Sequence, residues 1–180
     1  SSDVALPICA FQLQPDIEGT VSTTKHLAEK YKVSAEQVAE MQANVCSIAD
    51  GEGLCYDLSN TVSGNTKDAH RLLLWAADSG KQDELLKAMY AGYFEQGKSL
   101  FTHDDLLALV VDAGLDRDAA ADVLNSTKYA DTVTDDQTTA HAFGANGVPF
   151  FVFDRKYGIS GAQPLEAFTQ TLQAAWADAQ

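Results

Sequence analysis

The sequence predicts an α/β fold in which a small α/β domain is interrupted by a large all-helical insertion. Three observations carry this. The chain opens on a compact apolar segment, Val4 to Leu13 (VALPICAFQL), which reads as a buried strand with Pro7 near its beginning. From Thr20 to Thr127 apolar residues recur almost throughout at helical spacing. At Val148 the pattern switches to β, and the chain closes on a helix. Pairing of the opening strand with Val148–Phe153 would make the helical block an insertion. The expected division is therefore 1–19 with 128–180 as the α/β domain and 20–127 as the insertion.

Each element has a local cause. Ser34 and Gln37 have capping-box spacing, ahead of Val38, Met41, Val45 and Ile48 on one helix face. Asn65 is suited to cap a helix over Thr66–Ser79, with Asp68 in its first turn and Gly80 just past its end. Leu85, Leu86, Met89, Tyr90, Tyr93 and Phe94 form the next stripe, which stops near Gly97. Thr102 opens a helix carrying Leu106, Leu107, Val110 and Val111, and Asp116 opens a shorter one. Asp131 to Phe143 follows and ends at Gly144. Val148 to Phe153 has no polar residue and is expected to be buried on both faces. Asp154-Arg155-Lys156 is a polar turn before a second strand, Tyr157–Ser160. Pro164 fits the first turn of a closing helix lined by Leu165, Phe168, Leu172 and Trp176.

Composition narrows the function. The formal charge is −14 and no basic stripe is present, which argues against a nucleic-acid partner. No apolar run reaches membrane-spanning length. The opening Ser-Ser-Asp-Val has no basic stretch followed by an apolar one, so no signal peptide is expected. The three cysteines, Cys9, Cys46 and Cys55, have neither disulfide-framework nor zinc spacing, and a reduced, cytoplasmic setting is expected. Cys9 reads as a buried, inert thiol within its strand. Cys46 and Cys55 would need Cα atoms within about 7 Å to form a bridge, which the reduced setting disfavours.

Pro149 stands at the start of a strand, where a proline cannot donate to the ladder. By itself it reads as a turn or strand-start proline. Asn65, His70 and Arg71 share one helix start and read equally as a cap, a half-buried histidine and a solvated arginine. Ser160, Gly161, Ala162 and Gln163 precede a helix N-terminus, which is either a plain turn or a place where backbone N–H groups favour an anion.

Four blocks, in order, give these residues a further meaning: AFQLQPD (Ala10–Asp16), NTKDAHRLL (Asn65–Leu73), YFEQG (Tyr93–Gly97) and GVPFFVFDRKYGISGAQP (Gly147–Pro164). Together they resemble the DsbA-like thioredoxin-fold family, and within it the FrnE-type dithiol oxidoreductases and the 2-hydroxychromene-2-carboxylate isomerases. The resemblance implies a thioredoxin-like α/β fold with a large all-helical insertion. In this family a strand and a helix precede AFQLQPD, and that helix opens on Cys-x-x-Cys or, in the isomerases, on serine. The nucleophile is therefore expected on a segment ahead of residue 1, and no residue of this chain is assigned a catalytic role. Pro149 resembles the family's cis-proline, and an X–Pro bond favours trans by only about 0.5–1 kcal/mol. The backbone of Val148 would then face a thiol-bearing substrate. By the same resemblance Asn65, His70 and Arg71 border the redox centre, where His70 would stabilise a thiolate or shuttle a proton. Ser160, Gly161 and Gln163 would lie near the carboxylate of a thiol cosubstrate such as glutathione. No bound cofactor or metal is expected, the substrate is a protein or small thiol or disulfide, and the chain is a monomer or homodimer. The SGAQP turn resembles the oxidoreductase branch more closely than the isomerases. A redox-inactive, peptide-holding module is the remaining reading.

Overall fold

The structure, a computed structural model, describes residues 8–180. They form two compact units, residues 8–13 with 131–180 and residues 14–130.

The larger unit is helical apart from one short sheet. Strand β1 (Thr20–Ser22) pairs antiparallel with β2 (Val62–Gly64) in the register Thr20↔Gly64. These strands lie inside the stretch expected to be almost wholly helical, and each is too short to show a period. Gly64 is where the backbones crowd. A Cβ there would lie 2.7 Å from the Phe101 ring and 2.9 Å from the Gly19 carbonyl oxygen.

Helix α1 (Thr23–Tyr31) packs on α2 (Ala35–Gly51). The capping box forms as expected, with Ser34 Oγ accepting from Gln37 N–H and Gln37 Oε1 accepting from Ser34 N–H. Of the four apolar residues on the expected face, only Val38 is buried; Met41, Val45 and Ile48 are exposed. Helix α3 (Lys67–Ala77) is followed by α4 (Gln82–Tyr90), which runs into a π-helical turn at Ala91–Glu95. Helix α5 (His103–Asp112) starts at Thr102 and α6 (Arg117–Leu124) at Asp116, each capped by that residue's side chain. The π turn lets the chain approach α5 closely: a Cβ on Gly92 would stand 2.5 Å from Leu109 Cδ2. The core gathers Leu72, Leu85, Met89, Leu106, Leu109 and Val110 from α3, α4 and α5, closed by Ala120 and Val123 of α6. Each large aliphatic side chain buried there contributes about 1.5–3 kcal/mol.

The smaller unit holds α7 (Ala130–Ala142), β3 (Phe150–Phe153), β4 (Tyr157–Ser160) and α8 (Leu165–Asp178). β3 and β4 form an antiparallel hairpin closed by the pair Phe153↔Tyr157. Asp154 and Arg155 have φ of 51° and 53°, the mirror-image turn that matches strand twist.

Four expectations are corrected here. The opening strand over Val4–Leu13 lies in part outside the described residues, Pro7 included, and residues 8–13 form no ladder. Their backbone binds α7 side chains instead: Ala10 N–H donates to Asp136 Oδ2 at 2.7 Å, and Gln12 N–H to Gln137 Oε1 at 3.2 Å. Among the described residues β3 pairs with β4 alone, not with the opening segment. Val148–Phe153 is not buried on both faces, since Phe151 and Val152 are exposed. The helix-lining residues Leu165, Leu172 and Trp176 are exposed as well. The buried apolar residues of this unit, Ala10, Val133, Ala145, Ile159 and Ala175, are few and mostly small.

Candidate functional site

In the smaller unit the hairpin brings two of the sequence-marked groups together. The Val148–Pro149 peptide bond is cis. The Pro149 carbonyl accepts a 2.8 Å hydrogen bond from Gly161 N–H, so the strand start and the Ser160–Gln163 turn are adjacent. Antiparallel pairing places them there, because Phe150 lies opposite Ser160. Gly161 has φ of +82°, a left-handed conformation that glycine adopts without steric cost. Gln163 Nε2 donates to the Ser160 carbonyl at 2.9 Å and Gln163 N–H to the Gly161 carbonyl at 3.1 Å, which closes the turn. Val148 is 51% exposed at the edge of this arrangement.

Pro164 is the N-cap of α8 rather than its first-turn residue, and it supplies no side-chain cap. The first N–H groups of α8 therefore point out of the helix without a side-chain acceptor at the cap. That arrangement favours an anion, while Glu166 in the first turn opposes one.

Asn65, His70 and Arg71 lie in the helical unit. Asn65 precedes the formal N-cap, Thr66, yet performs the capping: its Oδ1 accepts from Lys67 N–H at 2.8 Å, while its Nδ2 donates to the Pro15 carbonyl at 2.6 Å. It also lines a cleft of about 280 Å³ with Gly19, Lys67, Asp68, Leu100 and Phe101. His70 is half-buried on α3. Arg71 departs from the expectation of a solvated or substrate-facing group. It is 5% exposed, and its guanidinium donates to Asp68 Oδ1 at 2.7 Å and to the carbonyls of Lys128 (2.8 Å), Ser126 (2.5 Å) and Val123. The Ser126 and Lys128 carbonyls follow the end of α6, while the Val123 carbonyl in its last turn also accepts from Ser126 N–H and Oγ. Asp68 also meets His103 Nε2 at 3.2 Å. Sequence reading placed Asp68 in a helix first turn but gave no sign of His103, whose contact spans 35 residues.

Cys9, Cys46 and Cys55 are free thiols. Cys9 is exposed rather than buried in a strand. Partial desolvation of its sulfur, and then the Asp136 carboxylate, push its thiol upward, opposite to the shift that activates a nucleophile. Among the described residues no cluster of His, Cys, Asp or Glu converges as metal ligands, and no helix is long and apolar enough to cross a membrane.

A β-hairpin entered through a cis-proline, followed by a closing helix, with a helical block placed ahead of it in the chain, defines a thioredoxin-like α/β protein. The chain belongs to the DSBA-like thioredoxin domain family, whose profile matches residues 1–173. A probable DsbA oxidoreductase from Streptomyces coelicolor is 42% identical and superposes with a TM-score of 0.84, covering 93% of this chain and 73% of that one. A Proteus mirabilis DsbA solved with a non-covalently bound peptide is 24% identical, with a TM-score of 0.46 over 63% of this chain and 60% of its own. No curated protein matches the chain.

Proposed function

We propose that this chain is the substrate-docking part of a FrnE-like thiol–disulfide oxidoreductase whose attacking cysteine lies ahead of residue 1. The observation that carries the reading is the match to a probable DsbA oxidoreductase at 42% identity over 93% of the chain. The state of Cys9 supports it: its thiol is shifted away from thiolate. In the proposed reaction a thiolate on the preceding segment attacks a substrate disulfide. A mixed disulfide forms, and one substrate sulfur leaves as a thiolate. A second thiol, either a resolving cysteine or a glutathione-like cosubstrate, attacks the mixed disulfide and releases the other substrate sulfur. Val148 and Pro149 would hold the substrate backbone, and the Ser160–Gln163 turn would receive the cosubstrate carboxylate at the α8 N-terminus. The setting of the reaction is cytoplasmic in this reading.

Insulin reduction tests it. The 180-residue chain is expected to show no turnover, and replacing Cys9, Cys46 and Cys55 with serine is expected to change nothing. The chain extended by its natural upstream sequence is expected to turn over, and to lose that activity when an upstream cysteine becomes serine. Turnover by the 180-residue chain that disappears in Cys9→Ser would overturn the proposal. An upstream serine in the cysteine position would favour the isomerase reading instead.

A further inference from the structure

Helix α2 and the segment that follows it bring two thiols to one place. Val38, Gln42, Cys46 and Ala49 recur at steps of four, four and three, so they share one face of the helix. It is the covered face: Val38 and Ala49 are buried, and Gln42 and Cys46 are half-buried. Cys55 follows the helix end at Gly51 by four residues and is exposed.

Two hydrogen bonds fix how the chain returns along that face. Gly53, with φ of 79°, takes the left-handed conformation that ends many helices, and Leu54 N–H donates to the Ala49 carbonyl at 2.9 Å. The chain turns back there. Further on, Gln42 Nε2 donates to the Leu58 carbonyl at 3.1 Å. The segment 54–58 is thus pinned at Ala49 and again at Gln42, and it runs antiparallel to α2. Those two helix positions are about 10 Å apart along the axis, and four residues of chain span at most about 14 Å. The segment therefore follows the helix.

Cys46 lies about 4.5 Å along the axis from Ala49, and Cys55 lies one residue, about 3.5 Å, past Leu54. Both cysteines stand at the same level of the helix, on the face the segment follows. The Leu54–Ala49 bond already brings the two backbones into direct contact one residue before Cys55. A disulfide needs Cα atoms about 4.4–6.8 Å apart. On its far side the segment is anchored: Asp57 N–H donates to the Phe94 carbonyl at 2.7 Å, and Tyr56 stacks on the Phe94 ring at 4.8 Å. Cys55 and the three residues before it are exposed, so its side chain can turn toward Cys46 without displacing the core.

We propose that Cys46 and Cys55 are a reversible dithiol pair that closes into a disulfide and staples the 54–58 segment to α2. The oxidant is the disulfide of a small thiol, such as glutathione disulfide. The exposed Cys55, as thiolate, attacks it; a mixed disulfide forms and one glutathione leaves. Cys46, as thiolate, attacks the Cys55 sulfur, the Cys46–Cys55 bond forms, and the second glutathione leaves. The two protein thiols lose two protons and two electrons, and one glutathione disulfide becomes two glutathione thiols. A bridge between accessible sulfurs is of the labile, reducible kind. The proposal does not rest on the function proposed above, because its readout is mass and not turnover. The 180-residue chain carrying Cys9→Ser, equilibrated with glutathione disulfide, is expected to lose two hydrogen atoms and to carry no glutathione. Cleavage after Glu52 should leave the Cys46 and Cys55 peptides joined until reductant is added. Excess reduced glutathione should restore both thiols. Adding Cys46→Ser should leave one glutathione held on Cys55. In urea the balance should move about tenfold toward glutathione adducts, because folding sets the effective concentration of one thiol at the other. Two glutathiones on one chain, two thiols left free, or a bridge only between chains would overturn the proposal, as would equal closure in urea or a bridge that reduced glutathione cannot open.

Discussion

Arg71 shows how much one side chain can organise. It donates to one carboxylate and three carbonyls while almost wholly buried. Removing it would take a donor from the Ser126 and Lys128 carbonyls at once, each loss costing about 1–3 kcal/mol. Arg71→Ala is expected to lower unfolding stability by about 3–5 kcal/mol, read by urea titration. Arg71→Lys should recover little, because an ammonium cannot reproduce the planar fork that reaches four acceptors. Stability equal to the parent in either variant would refute the anchoring role. Sequence reading could not find this role, because three of the acceptors lie more than fifty residues downstream. Asn65 was legible as a cap because the N–H its Oδ1 accepts from, that of Lys67, is two residues away.

At the level of elements, what could be read locally was read. The caps at Ser34, Thr102 and Asp116 depend on groups within three residues, and all three form. The β1–β2 pair was invisible because its partners are forty or more residues apart and each strand has three residues. The β3 run was recognised, but the burial expected on both its faces does not form, since an apolar run records an affinity for cover and not the presence of it. The Ser160–Gln163 turn and Pro149 were legible as a pair only through the hairpin that joins them. The hairpin is tied to α8 at the surface: Lys156 Nζ and Tyr157 OH both donate to Asp178 Oδ2. These donors, Lys156 first, hold the Asp178 carboxyl below its ordinary range. A depressed folded-state value stabilises above the unfolded value of about 3.9, and that contribution is lost as pH falls through the depressed one. The group is exposed, so the effect is small and screened by salt. The Asp178 carboxyl carbon, followed by NMR, should titrate below the usual aspartate midpoint, and Lys156→Met should raise that midpoint. An ordinary midpoint in both proteins would count against the tie.

At the scale of the whole molecule, apolar burial is distributed unevenly. Most of the fully buried large side chains, Leu72, Leu85, Leu106 and Leu109 among them, belong to the helical unit. Local opening follows buried contact, so the slowest amide exchange is expected in α3, α5 and α6, with β3 and β4 markedly faster. Equal protection across both units in an exchange experiment would contradict this.

The hairpin has one more consequence. Phe150–Phe153 is an uncharged, β-favouring run with two exposed residues, and among the described residues its second edge has no strand beside it. Runs of this composition favour intermolecular sheet growth where an edge stays open. The residues that follow it, Asp154, Arg155 and Lys156, then act as gatekeepers. Their charges break the run at the turn, and the lysine pairs with Asp178. The same three residues that close the hairpin also limit how far another chain can extend it.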